Sequence, residues 1–482
     1  MTKNSKNLLL FFSLLTFFYA CRLEDEILTS NSNAKLSFSK DTIFFDTIFT
    51  QTKSITRRVI VYNNNTNAVE VTNIRLGKDN LSPYSLIING EITNTKDKLR
   101  ILGKDSILIL ITANLPTSKQ DLPLLMRDSI LFSTNNNLQH VKLWAWGQDT
   151  NKESSIEITK PTIWSGIKPY IIADSLRILG TGSLTIEAGT TIYMNPNAKI
   201  LVQGKLIMNG TCDKPIKITG SRNDGDFSDL AGQWQGIFFT VDSQGAEINF
   251  TEIRNGIFGL YVAIFDKDAI PDISLKNTKI ENMSQTGIFA VDSDILMQNV
   301  LINNCFQRTF DVLRGGNYTL QHCTLVNLQR TPANTTPTIR WQNFVTGKTN
   351  TGQEITETAD LDLTMENSIV WGTFKEEFFI ANNTAANTKI KLNNNLLRTS
   401  TTNLNIYGIA NKTSPINDNF SNEALRFPLF KGQKRSFQGK EYFALDSLSP
   451  AINMGKNLNI ANDILCVPRD LQPDAGCYEW KK

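Results

Sequence analysis

Short apolar runs, each broken by one or two polar residues, recur at a nearly constant interval between residues 176 and 397. The plainest copies are Ile248-Asn-Phe-Thr-Glu-Ile253, Leu275-Lys-Asn-Thr-Lys-Ile280, Met297-Gln-Asn-Val-Leu-Ile302, Leu320-Gln-His-Cys-Thr-Leu325, Met365-Glu-Asn-Ser-Ile-Val370 and Leu392-Asn-Asn-Asn-Leu-Leu397. Their last residues lie 27, 22, 23, 45 and 27 positions apart, which predicts stacked turns of roughly 22 residues with insertions at some of them. Upstream, the alternations Leu184/Ile186, Ile200/Val202, Leu206/Met208 and Ile216/Ile218 predict strands with every second side chain on one face. Where the interval doubles, either a further turn passes through Thr338-Ile-Arg-Trp341 or one turn carries the polar loop 346–360.

Two polar columns run through the same repeat. Asn255, Asn282, Asn304, Asn327 and Gly372 share one register. Asn and Gly enter the left-handed region most cheaply, so this column predicts a bend at positive φ in each turn. Five residues earlier stand Asn277, Asn299, His322, Asn367 and Asn394, with Phe250 in the first copy. Amides stacked at the inter-strand spacing can bond along the axis, so His322 reads as a structural slot in a ladder.

A different pattern fills residues 34–150, where seven or eight short alternating segments are separated by turns such as Asn63-Asn-Asn-Thr-Asn67 and Asn89-Gly90, the pattern of a β-sandwich. At the N-terminus, Lys3 and Lys6 precede an apolar run too short to span a bilayer, which ends at Ala20-Cys21, the layout of a secretory signal over 1–20. A tether over 21–33 follows, then the sandwich over 34–150, the repeat over 160–440 and a terminal segment over 441–482.

Composition and charge narrow the functional classes. Hydrophobic residues make up 40% and charged ones 20%, a globular balance. Without residues 1–20 the chain carries 47 basic and 46 acidic residues, no electrostatic footprint for nucleic acid. Only two histidines exist, His140 and His322, in different domains, which disfavours a Ser-His-Asp or Cys-His centre and histidine-rich metal sites.

Five resemblances rest on these motifs. A small residue followed by Cys21 resembles the lipobox of bacterial lipoproteins, although Phe18 stands where leucine is usual. The acidic cluster Glu24-Asp-Glu26 behind it is similar to the surface-export signal of Bacteroidota lipoproteins. Together they imply outer-membrane, cell-surface attachment through a lipid on Cys21. The strand order of 34–150, closing at Gly147-Gln-Asp149, resembles the immunoglobulin-like domain of such lipoproteins. The elements Gly182-Ser-Leu-Thr-Ile-Glu-Ala-Gly189 and Gln233-Trp-Gln-Gly-Ile237 resemble right-handed parallel β-helices of the pectate-lyase type. The tail, with Ser449-Pro-Ala-Ile452, Asp463, Arg469 and Asp474-Ala-Gly-Cys-Tyr-Glu479, resembles the choice-of-anchor Q segment. The expected architecture is therefore all-β: a sandwich, a right-handed parallel β-helix and a C-terminal cap. Within that cap Arg469 is expected to be held by Asp463, Asp474 or Glu479. Cys466 and Cys477, which replace the Gly and Ala usual in that segment, imply a disulfide between them.

The available chemistry is carboxylate or basic. Asp292 and Asp294 offer a pair for a hydrolase, and Asp311 with Arg314 could bind or deprotonate an acidic sugar. Asp224, Asp226 and Asp229 offer oxygen ligands for calcium, with a polar surface loop as the plainer reading. Trp234, Trp341 and Trp371 offer a platform for a sugar ring. Because each repeated polar residue has a structural role, the expected function is a non-catalytic surface scaffold for glycans or partner proteins. A polysaccharide lyase or glycoside hydrolase, and an adhesin acting through the sandwich, stand as alternatives.

Overall fold

The computed structural model describes residues 27–117, 121, 123–222, 225–265, 270–328, 336–399, 416–417, 428–431 and 443–481. It divides into two units at Asp149/Thr150. No α-helix occurs among the described residues.

Ten strands build the first unit: β1 (Ser37–Phe38), β2 (Thr42–Phe49), β3 (Arg57–Tyr62), β4 (Val69–Leu76), β5 (Tyr84–Ile88), β6 (Glu91–Ile92), β7 (Thr95–Ile101), β8 (Ser106–Ala113), β9 (Leu124–Thr134) and β10 (Asn137–Gln148). They form two five-stranded sheets, ordered β1-β3-β8-β5-β6 and β2-β10-β9-β4-β7. Alternating residues such as Val59, Val61, Ile109 and Ile111 from one sheet, and Ile74, Ile130, Phe132 and Leu143 from the other, share one buried core.

Parallel pairing dominates the second unit. Strand Lys199–Val202 pairs with Gly236–Phe239, which pairs with Phe258–Val262, then Thr286–Ala290, Arg308–Val312, Ile339–Gln342 and Phe378–Ala381. A second row runs through Thr251–Arg254, Lys279–Met283, Leu301–Cys305, Thr324–Asn327 and Ile369–Gly372. A nine-stranded sheet forms the third row. Strand Tyr170–Ile178 bonds to both Thr191–Met194 and Lys199–Val202, and so joins the first two rows into one 18-stranded sheet. Inward residues from all rows, among them Ile237 and Ile288 from the first, Ile253 and Ile280 from the second and Leu275 and Met297 from the third, form a single continuous core.

This corrects the expected right-handed parallel β-helix of pectin-lyase type. The hydrogen bonding delineates an 18-stranded and a nine-stranded parallel sheet that together nearly close around one core, and we describe the unit as a nearly closed parallel β-barrel. The doubled interval holds one turn, because Thr324–Asn327 pairs directly with Ile369–Gly372. That turn includes the strand Ile339–Gln342 and also an antiparallel hairpin, Phe344–Lys348 with Glu354–Thr358.

The expected terminal cap is corrected as well. The C-terminal segment runs back along the flank of the barrel as a strap. The Asn394 amide donates to the Met454 carbonyl at 3.0 Å, Asn367 to Lys456 at 2.6 Å, and Asn299 to Asn462 at 2.9 Å. Further back, a disulfide joins Cys466 to Cys212, whose Cα atoms are 6.4 Å apart. The expected Cys466–Cys477 pair does not form: Cys477 is a buried free thiol, pushed up to about 12 by burial and hence unreactive. Beneath the strap, Leu301, Val326, Ile369 and Leu396 point outward from the second row and pack against Ala451, Ile464, Ala475 and Tyr478. Strands buried on both faces read as continuous apolar runs rather than alternations, which is why Ile369–Gly372 is buried throughout.

The polar columns have roles that differ in part from those expected. Asn255, Asn282 and Asn304 are left-handed, at φ of 64°, 62° and 51°, and their amides chain together at 2.7 Å. Asn327 and Gly372 are not left-handed. Asn327 instead bonds both ways to the Cys305 backbone, at 2.8 and 2.7 Å. At Gly372 a Cβ would lie 2.1 Å from the Glu377 carboxylate, so glycine there makes room for a buried acid. The other column is left-handed throughout: Phe250, Asn277, Asn299, His322, Asn367 and Asn394 span φ of 43° to 55°. The amides of Asn299, Asn367 and Asn394 are the donors that hold the strap.

In this column His322 is 1% exposed. The Asp474 carbonyl, 3.1 Å away, can only accept, so Nδ1 carries the proton and Nε2 accepts from the Asn367 amide at 2.9 Å. Burial, with the Arg469 charge adding to it, lowers His322 from 6.5 to about 3. A native value below the unfolded one means that stability is complete above pH 6.5 and falls as pH drops toward 3, by up to about 1.4 kcal/mol per unit. The neighbouring acids Asp463, Asp474 and Glu479 are raised by burial and act in the opposite sense at lower pH. His322→Asn should therefore flatten the loss of thermal stability between pH 6.5 and 5. An unchanged slope in melting curves would show that His322 is not its source.

Candidate functional site

The outer face of the first row carries a line of side chains that belongs to neither polar column. Strand alternation sends every second residue outward, and parallel register places Phe238, Tyr261, Phe289, Asp311, Arg340 and Phe379 at the same slot in six successive turns. The first three are half-buried aromatics. Tyr261 stacks on Phe289 at 4.9 Å and 24°, and Phe238 lies 5.6 Å from Tyr261. Phe258 meets Tyr261 edge-on at 5.8 Å. Glycine lets successive strands of the row approach closely here: a Cβ on Gly259 would lie 2.4 Å from the Gly287 carbonyl. A groove of about 770 Å³ opens beside these rings, floored by Phe238, Tyr261 and Leu201 and edged by Asp174, Lys199 and Gln235.

Beyond Phe289 the slot turns ionic. Asp311 is 2% exposed and is gripped by Arg340 through Nε at 2.6 Å and Nη2 at 2.9 Å, and by Arg308 through Nη1 at 3.2 Å. Burial lowers the Arg308 guanidinium from its ordinary value, while Asp311 pulls it back up. Three residues after Asp311, Arg314 lies 3.5 Å from Asp292 through Nη2, pairs with Glu357 through Nη1, and sits 5.3 Å over the Phe265 ring. Asp292 occupies a left-handed corner, φ 47°, ahead of strand Ser293–Gln298. Glu357 arrives from the hairpin inserted after Ile339–Gln342.

The pairings differ from those expected. The carboxylates that meet are Asp292 and Glu357, on two nitrogens of one guanidinium. Asp294 turns instead to Asn317, accepting from its backbone at 3.0 Å and its amide at 2.8 Å. Asp311 and Arg314 belong to adjacent clusters with separate partners. Trp341 is wholly buried between Phe310 and Tyr318, at 4.7 and 5.1 Å, and Trp234 is wholly buried too, so neither can stack on a sugar. Trp371 lies in the core under the strap. Asp224 and the side chain of Asp226 lie outside the described residues, and the Asp229 carbonyl accepts from Asn282 at 2.7 Å. Among the described residues, no group of three or more histidine, cysteine or acidic side chains could hold a metal ion. Of the three acids named for Arg469, Glu479 contacts it, at 2.8 Å.

Sequence reasoning missed the aromatic row and Glu357. A signal for the row exists in the triplets Gly236-Ile-Phe238, Gly259-Leu-Tyr261 and Gly287-Ile-Phe289. The expectation of a scaffold without catalysis rested on every recurring polar residue serving the fold. That expectation is corrected along with the β-helix, and the outer row adds aromatic and charged side chains that lie outside those columns.

No family model matches the chain, and no curated protein matches it. The resemblances drawn from the sequence motifs therefore gain no family assignment. Among solved structures, the chain aligns with a family 123 glycoside hydrolase from Clostridium perfringens at 10% identity and a TM-score of 0.18, over 26% of this chain and 30% of that one. A likeness this slight carries no argument about fold or activity.

Proposed function

We propose that the protein cleaves glycosidic bonds in a polysaccharide laid along the outer row, with Asp292 and Glu357 as its working carboxylates. The observation that carries this reading is the in-register run of Phe238, Tyr261 and Phe289 into the ionic turn at Asp311 and Arg340. Flat apolar rings at strand spacing offer successive faces on which sugar rings can stack, and the groove opens beside Phe238 and Tyr261. Two carboxylates beside such a platform are the minimum for glycosidic cleavage: one protonates the leaving oxygen, and the other acts as base or nucleophile. Arg314, bonded to both, fixes their positions.

The same proposal places the protein at the outer membrane, tethered through a lipid on Cys21. The order of Lys3, Lys6, the apolar run and Cys21 supports this, and that segment lies outside the described residues.

Incubation of the protein with a panel of polysaccharides tests the reading. New reducing ends from at least one member are expected. Ultraviolet absorbance by unsaturated sugar separates elimination from hydrolysis, and an unaltered panel contradicts the proposal.

A further inference from the structure

Resting on the glycan reading, we infer that Arg308 and Arg340 form a subsite for an anionic substituent, carboxylate or sulfate, on the sugar that follows the one stacked on Phe289. The register sets the position: Phe289 pairs with Asp311, which pairs with Arg340, so a chain following the rings meets this turn next. Asp311 is too buried to face a ligand, and it serves to orient the two guanidiniums. Two positive groups around one carboxylate leave one net positive charge in this turn.

Donor use points the same way. Arg340 spends Nε and Nη2 on Asp311, and Arg308 spends Nη1. Arg308 Nη2 and Arg340 Nη1 take no part in these bonds. Planar guanidiniums match the oxygens of carboxylate and oxyanion groups, so these nitrogens can serve an anionic substituent. A neutral sugar would leave that charge uncompensated.

Calorimetry in an Asp292→Asn background, which suppresses turnover, tests this with three oligosaccharides sharing one backbone: neutral, uronate-bearing and sulfated. At least one anionic form should bind tenfold or more tighter than the neutral one, with an advantage that shrinks as salt rises. Whichever of the two wins identifies the group. Arg308→Gln leaves Asp311 paired with Arg340 and should abolish most of that advantage, Arg308→Lys should restore part of it, and Phe289→Ala should weaken all three ligands alike. Equal binding of the three forms, or an advantage untouched by Arg308→Gln in a protein that melts normally, overturns the anionic subsite and leaves the glycan reading standing. Absence of binding by every form overturns both.

Discussion

Replacing Asp292 by Asn, or Glu357 by Gln, should lower polysaccharide cleavage by a factor of about 10² to 10⁴ with the fold intact, the usual contribution of a positioned acid or base. Both substitutions keep shape and remove charge. Asn tolerates the left-handed φ of 47° at position 292 as readily as Asp does. Glu357 is half-exposed on a hairpin, so its replacement disturbs little packing. The two losses should not multiply in the double variant, since neither carboxyl completes the reaction without its partner. Steady-state rates within threefold of the unaltered protein in both variants would remove these residues from the chemistry.

Arg469→Met should free the strap, at a cost of about 3–5 kcal/mol, because it leaves Glu479 buried without its partner. The Arg469 side chain is 3% exposed and that of Glu479 5%. The guanidinium also donates to Asn299 at 2.9 Å and to the Gly476 carbonyl at 3.1 Å, so one side chain ties the strap to itself and to the left-handed column. Amide exchange reads this locally: Ala475 donates to Ala451 at 2.9 Å, and Gly476 donates to Asn367 at 2.7 Å. Their protection should fall by two to nearly four orders of magnitude, at about 1.4 kcal/mol per tenfold, while the first unit is unaffected. Replacing both partners by apolar residues should recover much of the loss. Unchanged protection at Ala475 and Gly476 in Arg469→Met would mean that burial of the apolar face alone holds the strap.

What the sequence disclosed follows from the range of the interactions involved. Inward residues such as Ile200, Ile237 and Ile288 were legible because strand alternation is local. Left-handed Asn255 and Asn282 were legible because few other residues take that conformation cheaply. Phe250 hid the start of the second left-handed column, since a bulky aromatic residue rarely takes positive φ. The strap was readable as a set of residues but not as a path, because Cys212 and Cys466 are 254 positions apart. Trp341 invites an exposed reading among polar neighbours, yet its register with Val312 and Ile380 sends it inward. The Arg314 and Glu357 contact crosses 43 residues and an insertion, and no local pattern announces it.

The most direct test of the outer row as a glycan site is reducing-end release from an accepted polysaccharide by Phe238→Ser/Tyr261→Ser/Phe289→Ser, beside the unaltered protein. These rings are half-buried on the outer face, outside the continuous core. Cleavage should fall more than tenfold, with thermal unfolding shifted by only a few degrees. Full cleavage by the triple variant would contradict a glycan site there.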